Sequence, residues 1–284
     1  MDSAACNGKD EPVAEELLKR LINELQPLGR LAVAFSGGVD SSVVVAAATQ
    51  ALGVDNVLAV TARSDTLPER ELKEAMNLAR SLGVPYSVIE TRELEDNEFC
   101  ANTPDRCFYC KSELWDKLGE LAAREGITNI ADGVNAGDAV DFRPGIKAGD
   151  EAGVLHPLAD IGADKPDVRA LARALGLPNW DKPAQACLSS RFPYGTRITA
   201  AGLKRVEGAE EFLRAMGLAS LRVRDHGDSA RIEVPADQIG ELVANGKRET
   251  IVGALKELGY IYVTLDLEGF RSGSMNEALP FRKS

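Results

Sequence analysis

A serine- and glycine-rich turn at residues 36–42, Ser-Gly-Gly-Val-Asp-Ser-Ser, constrains this chain more than any other segment. It follows an apolar run at residues 31–35 that predicts a buried strand, and it leads into an apolar stretch at residues 40–52 that predicts a helix. Two adjacent glycines let a backbone come close to a phosphate chain, and the N–H groups at a helix start favour anions. The turn therefore predicts a phosphate site at the carboxyl edge of a sheet.

The groups expected to bind phosphate are the hydroxyl, backbone and carboxylate groups of this turn. The serines supply hydroxyl donors, and Asp40 can hold Mg²⁺ or orient the loop. Other phosphate motifs are missing, because the sequence contains no G-x-x-x-x-G-K-[ST] and no G-x-G-x-x-G after a strand. An ordinary strand-to-helix turn, with glycine present for its geometry, is the alternative. The candidate nucleotide-binding residues are Ser36, Gly37, Gly38, Asp40, Ser41 and Ser42.

Strands alternate with helices through the first part of the chain. This alternation indicates βαβ units and an α/β fold with a parallel sheet covered on both faces. Beyond a stretch at residues 178–194 that is rich in Pro, Ser and Gly, the order helix, hairpin, helix and strand predicts a smaller α+β domain. We place the two domains at residues 1–183 and 184–284. The expected strands lie at residues 31–35, 57–61, 85–89, 128–132, 221–224, 230–234 and 261–265, and the expected helices at residues 12–25, 40–52, 68–82, 111–124, 166–175, 200–216 and 249–258.

Length and charge favour a two-domain protein that binds small anions. The 284 residues correspond to about two domains at roughly 150 residues each. The net charge of −11 repels a polyanion, so we expect no nucleic-acid partner, whereas a small anionic ligand needs only a few local cations. No apolar run approaches the ~18 residues of a membrane span, and the start does not resemble a signal peptide. These features predict a cytoplasmic protein with no membrane partner.

The cysteine pattern indicates a metal or redox site. An odd number of cysteines without an export signal argues against a disulfide framework. Cys107 and Cys110 can face one metal ion or cluster, and together with Cys187 they suit a [4Fe–4S] cluster with one iron left open. A zinc site with His156 or His226 as a further ligand, a redox disulfide within the close pair, and ordinary packing are the alternatives. The five cysteines are Cys6, Cys100, Cys107, Cys110 and Cys187, of which the first two have no expected role.

These motifs carry a resemblance at two levels. The turn at residues 36–42 resembles the PP-loop of the ATP pyrophosphatase superfamily, which implies a Rossmann-like domain, cleavage of ATP to AMP and pyrophosphate, and adenylation of a substrate oxygen. From about residue 18 to residue 276 the chain also resembles the LarE family, ATP-dependent sulfur transferases of nickel-pincer cofactor biosynthesis. The matching landmarks lie at residues 36–41, 102–105, 141–145, 189–195, 222–224, 264–267 and 270–273.

The LarE resemblance implies roles for particular residues. Cys107, Cys110 and Cys187 match the three-cysteine members of the family, in which a [4Fe–4S] cluster carries a sulfide and delivers it. The cysteine that other members sacrifice stands here as Ala186. The resemblance makes the second domain the place of substrate binding and sulfur transfer. The implied catalytic residues are Cys187, Ser190, Arg191, Glu210 and Glu241.

The implied substrate is a strongly anionic pyridinium-3,5-biscarboxylic acid mononucleotide. Arg222 and Arg224 lie two apart on a predicted strand and point to one face, where guanidinium groups suit phosphate or carboxylate. A solvated basic edge is the alternative. Asp138 and Asp141 are further candidates for Mg²⁺, with a solvated loop as the alternative. The implied partners are a sulfide donor, other proteins of nickel-pincer biosynthesis, and further copies of the chain in a homo-oligomer.

The sequence therefore predicts an enzyme that uses ATP, Mg²⁺ and a [4Fe–4S] cluster to convert substrate carboxylates to thiocarboxylates. A tRNA thiolation enzyme is one alternative, disfavoured by the acidic charge and the lack of an added RNA-binding segment. An ammonia-dependent amidating enzyme of the PP-loop superfamily is another, but it would leave three cysteines without a role. A nucleotide sensor that has lost catalysis is a third, disfavoured by the intact turn at residues 36–42.

Overall fold

The computed structural model describes residues 7–139, 144–244, 246–271, 274 and 277. The chain divides into two compact units. The first comprises the residues up to Glu93 together with Cys107–Gln185, and the second comprises Leu94–Arg106 together with the residues from Ala186 onward. The excursion of residues 94–106 into the second unit was not predicted from the sequence.

The α/β prediction is confirmed by a four-stranded parallel sheet in the first unit. Its strand order is β3-β2-β1-β4, and Leu31 lies opposite both Val57 and Asn129. The strands of this sheet are β1 (Leu31–Ala34), β2 (Val57–Arg63), β3 (Tyr86–Glu90) and β4 (Asn129–Ala131). The helices numbered along the chain are α1 (Asn7–Leu25), α2 (Val39–Leu52), α3 (Glu69–Ser81), α4 (Asn97–Cys100), α5 (Arg106–Arg124), α6 (Ala136–Ala139), α7 (Pro144–Glu151), α8 (Pro157–Asp160), α9 (Lys165–Ala174), α10 (Ala200–Ala215), α11 (Ile239–Val243) and α12 (Lys247–Glu257).

Both faces of this sheet are buried because alternate residues of each strand pack against different helices. On one face, Leu31 and Val33 pack with apolar side chains of α1, α2 and α9. On the other face, Ala32 and Val60 pack with α5, including the buried Trp115. Two separate apolar layers therefore position the carboxyl ends of the strands, from which the loops of the candidate site continue.

The second unit contains the predicted smaller α+β arrangement. Its strands are β5 (Arg222–His226), β6 (Ser229–Glu233) and β7 (Tyr262–Leu265), in the order β5-β6-β7. The hairpin between β5 and β6 is antiparallel and turns at Gly227, whose φ of +74° suits a tight two-residue turn. One face of the sheet packs against α10 and α12 through Val223, Ile232 and Leu255. Strand β7 runs parallel to β6.

The start of α5 differs from the prediction. The helix begins at Arg106 and not at residue 111, so Cys107 and Cys110 lie within its first five residues rather than before it. Thr103 followed by Pro104 is a helix-start signal, and the Arg106 N–H donates to the Thr103 carbonyl at 3.0 Å. Among the described residues, no helix combines the length and the apolar character that crossing a membrane requires.

Candidate active site

The turn at residues 36–42, which we call the phosphate turn after its predicted ligand, has a shape that requires glycine at residue 37. Gly37 has a φ of +69°, in the left-handed region. A Cβ atom there would lie 2.9 Å from the Cα of Ala75 in α3, which is too close for a real contact. Gly38 precedes α2, and a Cβ atom there would meet only the Ser36 Oγ, at 3.2 Å. Gly37 therefore shapes the turn, and Gly38 leaves space beside it for a ligand.

The three predicted serines differ in burial: two are buried and support the turn, and one is exposed. The Ser42 hydroxyl donates to the Gly38 carbonyl at 2.7 Å, and the Ser41 hydroxyl donates to the same oxygen at 3.3 Å. Both of these serines are buried. Ser36 is exposed, and its Oγ accepts from the Gly38 N–H at 3.3 Å. Internal hydrogen bonds thus brace the turn, and Ser36 is the serine whose hydroxyl can meet a ligand.

Two carboxylates and a lysine meet beside the turn. Asp40 Oδ1 accepts from Asn135 Nδ2 at 2.7 Å, and the same amide nitrogen donates to Asp138 Oδ2 at 2.8 Å. Lys165 Nζ lies 3.5 Å from Asp40 Oδ1 and 4.0 Å from Asp138 Oδ1. Asp40 and Asp138 were both predicted as Mg²⁺ candidates, whereas Asp141 lies outside the described residues. Asn135 and Lys165 were missed, although one follows β4 at the carboxyl edge and the other begins α9.

Two more residues support the turn without having been predicted. Gly133 follows β4, and a Cβ atom there would lie 2.6 Å from the Ser41 backbone nitrogen. The chain after β4 can therefore approach the start of α2 only because residue 133 is glycine. Asn179 Nδ2 donates to the Gly37 carbonyl at 3.2 Å and to Ser42 Oγ at 3.0 Å. A glycine directly after a strand was the available sequence signal for the first of these; Asn179 had none.

The cysteine pair lies at the amino-terminal end of α5. Cys107 is exposed and Cys110 is half-buried. Cys110 Sγ lies 3.6 Å from Glu93 Oε1, and the same carboxylate oxygen accepts from the Thr91 hydroxyl at 3.0 Å. Burial raises the pKa of Glu93 above its usual value. A buried carboxyl group beside the second cysteine was not predicted, because nothing in the sequence placed the loop after β3 against α5.

The structure also places the cysteines relative to the alternatives of a redox disulfide and ordinary packing. None of the described cysteines forms a disulfide, so the redox pair is not formed in this structure. Cys100 is buried and its thiol donates to the Leu94 carbonyl at 3.3 Å, which is a packing role. Cys6 lies outside the described residues. Cys107 and Cys187 are both exposed, so their thiols are accessible to an incoming metal or sulfur species.

In the part of the chain that the structure describes, no group of three or more His, Cys, Asp or Glu side chains is placed to hold one metal ion. His156, a predicted zinc alternative, has Nδ1 at 2.8 Å from Asp132 Oδ1 and Nε2 at 3.3 Å from Asp150 Oδ1. The hydrogen bond to Asp132 is the largest influence on the pKa of His156, which is raised. Both ring nitrogens therefore already have carboxylate partners, which disfavours a role as a zinc ligand.

Cys187 stands at the start of a short 3₁₀ turn in the second unit, Leu188–Arg191. The buried Arg191 donates from Nε and Nη2 to the two carboxylate oxygens of Glu210, at 2.8 and 2.9 Å. Its Nη1 donates to the carbonyls of Ala186 and Cys187, at 2.7 and 2.9 Å. Burial raises the pKa of Glu210, but the hydrogen bonds and charge of Arg191 outweigh it and lower the pKa overall. A buried ion pair therefore fixes the backbone that carries an exposed thiol.

The two strand arginines lie on one face of β5 but differ in their partners. Arg224 donates from Nε and Nη2 to the two carboxylate oxygens of Glu233 at 2.9 and 2.7 Å, and from Nη1 to the Ser190 carbonyl at 2.9 Å. Arg222 is only 7% exposed, and its Nη1 donates to the Leu221 carbonyl at 2.9 Å. The solvated basic edge considered for this pair is wrong, because both side chains are buried.

Arg222 is the arginine of this pair with capacity for an anion. Its guanidinium lies 5.1 Å from the centre of the Phe270 ring, and no carboxylate of the described residues forms an ion pair with it. Burial, followed by the charge of Arg191, lowers the pKa of Arg222 to about 10. An anionic ligand would offset the repulsion between these cations, so the surroundings of Arg222 favour negative charge.

Glu241 lies apart from these residues. It is exposed on α11 and forms an ion pair with Lys247 of α12, which lowers the pKa of its carboxyl group. Its hydrogen bond to Lys247 joins neighbouring surface helices and involves none of the buried arginines. The structure therefore brings Ser190, Arg191 and Glu210 together around Cys187, and it does not add Glu241 to that group.

Comparison with known proteins identifies the family. A model of the NAD synthase family matches residues 13–103. A pyridinium-3,5-bisthiocarboxylic acid mononucleotide synthase of Lactiplantibacillus plantarum is 44% identical over 91% of this chain and 93% of that protein. The chain belongs to the LarE family. An uncharacterized protein of Synechocystis is also 44% identical, over 93% of this chain and 98% of that protein. An NH₃-dependent NAD⁺ synthetase of Chlorobaculum tepidum is 31% identical over 63% of this chain and 66% of that protein.

As a member of the LarE family within the PP-loop superfamily, the protein is an ATP-dependent enzyme that uses ATP and Mg²⁺. The NAD synthase match spans the turn at residues 36–42, where the braced backbone and its neighbouring carboxylates lie. The family landmarks at residues 102–105, 189–195 and 222–224 all lie in the second unit. Landmark residues 141–143, 272 and 273 lie outside the described residues.

Proposed function

We propose that this LarE-family enzyme adenylates the carboxylates of pyridinium-3,5-biscarboxylic acid mononucleotide and converts them to thiocarboxylates, releasing AMP and pyrophosphate. One observation carries the choice of substrate: Arg222 is a buried cation without a carboxylate partner among the described residues. A strongly anionic small molecule supplies the charge that this position lacks. The 44% identical relative, whose name is that of the bisthiocarboxylic acid product, supports the same substrate.

In the first step, a substrate carboxylate oxygen attacks the α-phosphorus of ATP, and pyrophosphate leaves. The backbone N–H groups at the start of α2 and the exposed Ser36 hydroxyl would bind phosphate oxygens. Asp40 and Asp138 would hold Mg²⁺, which when bound offsets the charge of the leaving pyrophosphate. Lys165 adds a positive charge at the same place. Asn135 fixes the separation of the two carboxylates by donating to both.

In the second unit, the buried arginines and Glu210 would take different roles. Arg222 would bind a phosphate or carboxylate of the mononucleotide. Arg224 is already paired with Glu233 and would act mainly by holding the Ser190 carbonyl. Arg191 and Glu210 would act by fixing the turn that presents Cys187. The Ser190 hydroxyl, which donates to the Cys187 carbonyl at 2.8 Å, can turn toward a ligand. For Glu241, only its match to a family position supports a catalytic role.

In the second step, sulfide attacks the carbonyl carbon of the acyl-adenylate, the carbon–oxygen bond to AMP breaks, and AMP leaves. Cys107, Cys110 and Cys187 are the residues that would hold a [4Fe–4S] cluster, and their donor chemistry fits because soft thiolates suit iron–sulfur clusters. When bound, the cluster would supply an open iron at which sulfide is carried. Because Ala186 stands where a sacrificial cysteine would be, the chain has no sulfur to give up at that position.

We also propose that the enzyme is cytoplasmic and forms a homo-oligomer. Its partners would be a sulfide donor and other proteins of nickel-pincer biosynthesis. The acidic charge of the chain supports the absence of a nucleic-acid partner. Two rounds of the reaction on one substrate would yield the bisthiocarboxylate that later receives nickel.

The test is a reaction under anaerobic conditions with the mononucleotide, ATP, Mg²⁺ and sulfide, followed by mass spectrometry of the product. We expect oxygen to be replaced by sulfur in the substrate, with one AMP and one pyrophosphate formed for each replacement. A parallel reaction with ammonia in place of sulfide should yield no amide. Amide formation would instead support the amidating alternative, and AMP release that needs no mononucleotide would contradict the proposed substrate.

A further inference from the structure

Asn102 has a backbone conformation that sets it apart. It is the one non-glycine residue in the described ranges with a positive φ, at 54°, and its exposure is 0%. Asparagine enters this left-handed region more readily than most side chains, but a buried residue is held there only when its surroundings require it. The residue follows α4, in the segment of residues 94–106 that belongs to the second unit. No role was predicted for it.

The side-chain amide of Asn102 binds a neighbouring loop at several points. Its Nδ2 donates to the carbonyls of Phe192, Pro193 and Thr196, at 3.3, 2.8 and 3.0 Å. Its backbone carbonyl accepts from the Gly195 N–H at 2.9 Å. These carbonyls belong to a loop without strand partners, and buried backbone groups of this kind need hydrogen bonds from elsewhere. Asn102 therefore supplies the hydrogen bonds that a neighbouring strand would supply in a sheet.

The amide oxygen of Asn102 extends the same network to a second residue. Asn102 Oδ1 accepts from Arg106 Nη1, and that nitrogen also donates to the Ser189 carbonyl at 3.0 Å. The Arg106 guanidinium lies 5.4 Å from the centre of the Tyr194 ring. Arg106 is itself buried, which strengthens these hydrogen bonds. Asn102 and Arg106 together thus hold the loop from Ser189 to Thr196.

The held loop is the one that continues from Cys187. The turn Leu188–Arg191 starts at Cys187, and Ser189 lies in its middle. On its other side, Arg191 and Glu210 fix the carbonyl of Cys187. Arg106 also directly precedes Cys107 in the chain. One small network therefore reaches the turn that presents the Cys187 thiol.

We propose that Asn102 is a positioning residue for sulfur transfer: by binding three carbonyls and Arg106, it fixes the loop that presents Cys187 and Ser190. The catalytic part of this inference rests on the proposed function, and the control of the loop does not. An amide is required because the three loop acceptors need a donor while Arg106 needs an acceptor. A carboxylate would repel the three carbonyls, and a shorter side chain would reach neither set.

Two variants test this role from different directions. Asn102→Asp keeps the shape and the tolerance of positive φ but removes the donor, whereas Asn102→Gly keeps the backbone conformation and removes every side-chain contact. Asn97→Asp is the matched control, because Asn97 is exposed on α4 and its side-chain amide uses only Oδ1 among the described contacts, accepting from Arg197 Nη2 at 3.0 Å. If Asn102→Asp does not fold, Asn102→Gly carries the test.

The first readout is amide hydrogen exchange, resolved by peptide. We expect exchange across residues 188–198 to accelerate at least tenfold in both Asn102 variants, while β5, β6 and α10 exchange as in the parent and the control is unchanged throughout. Unchanged exchange at residues 188–198 would overturn the proposal. Acceleration across the whole second unit would also overturn it, because that would indicate general destabilisation rather than positioning.

The second readout separates positioning from binding. We expect kcat for thiocarboxylate formation to fall at least tenfold, with the KM for ATP unchanged, and the iron bound after anaerobic reconstitution to fall as well. Faster local exchange with an unchanged kcat would overturn the catalytic part. If the parent enzyme forms no thiocarboxylate, the proposed function fails, while the exchange result still decides whether Asn102 controls the loop.

Discussion

The two units arrange the charged side chains of their candidate sites in opposite ways. In the first, Asp40 and Asp138 share one amide donor, and Lys165 lies 3.5 and 4.0 Å away from them. In the second, arginines predominate, and Arg191 and Arg224 are each matched to a carboxylate. Carboxylates beside an anion-binding turn suit a magnesium–phosphate ligand, whereas a surplus guanidinium suits an anion that brings no metal. The difference supports the proposal that ATP binds in the first unit and the anionic substrate in the second.

We expect the largest effect on stability from breaking the buried ion pair between Arg191 and Glu210 in the second unit. Arg191→Ala leaves Glu210 buried with only Arg214 and the Val223 N–H as partners. We expect a loss of about 3 kcal/mol in the free energy of unfolding, at the low end for a broken buried pair because those partners remain. Urea denaturation measures it. Arg197→Ala is the control, since this exposed arginine should change stability by less than about 0.5 kcal/mol. Equal losses in the two variants would contradict the structural role of Arg191.

In the first unit, the sharpest test separates backbone strain from the shape of the phosphate turn. Gly37→Ala adds a Cβ atom 2.9 Å from the Cα of Ala75, whereas Gly29→Ala has a similar φ, +71°, and nothing within 4 Å. Both should lose about 1–2 kcal/mol of stability because a side chain disfavours a positive φ, and Gly37→Ala should lose more because its Cβ atom clashes with Ala75. Only Gly37→Ala should lower the rate of AMP formation, by about 100-fold, because a displaced turn misplaces the phosphates. Pyrophosphate release measures this rate, and a normal rate would exclude the turn from the mechanism.

The next test compares the two strand arginines directly. Arg222→Ala should raise the Kd of the mononucleotide at least about tenfold, since a charged hydrogen bond contributes about 1.5–3 kcal/mol. It should cost little stability, because no carboxylate of the described residues is left without its partner. Arg224→Ala should instead lower stability, because Glu233 loses a pair of hydrogen bonds. Calorimetric titration and denaturation separate the two effects, and identical behaviour of the two variants would contradict the assignment.

The smallest expected effect is a pH dependence in the first unit. Because the folded-state pKa of His156 is raised above its usual 6.5, its pairing with Asp132 contributes stability that is fully present below about pH 6.5. That contribution is lost as the pH rises through the folded-state pKa. The difference in unfolding free energy between the parent and His156→Gln should therefore shrink as the pH rises from 6 to 9. A difference that grows with pH would contradict the conclusion that pairing with Asp132 raises the pKa of His156.

The same comparison shows what the sequence could reveal. The site of the first unit was largely predictable, because its phosphate turn is one contiguous segment after an apolar strand. The predicted strands and the two-domain fold class are confirmed for the same reason, since apolar periodicity is a local signal. Lys165 and Asn135 were missed because they reach Asp40 only after the sheet places the ends of separate strands and helices side by side.

The second unit was less predictable because its partners depend on pairing register. The alternation of a strand placed Arg222 and Arg224 on one face, but the partner of Arg224 follows from the hairpin that sets Glu233 opposite Arg222. The segment at residues 94–106 was missed because no local pattern reports which unit a connecting segment joins. The start of α5 was placed five residues late because Cys107 to Cys110 lack the apolar spacing that the prediction relied on.

The measurement that tests the central claim most directly is a count of products per enzyme together with the mass of the protein after turnover. Anaerobic enzyme is supplied with an excess of the mononucleotide, ATP, Mg²⁺ and sulfide. We predict several thiocarboxylates per chain, with the mass of every cysteine-containing peptide unchanged. A single thiocarboxylate per chain, with Cys187 converted to dehydroalanine, would contradict the account, because the sulfur would then have come from the protein itself.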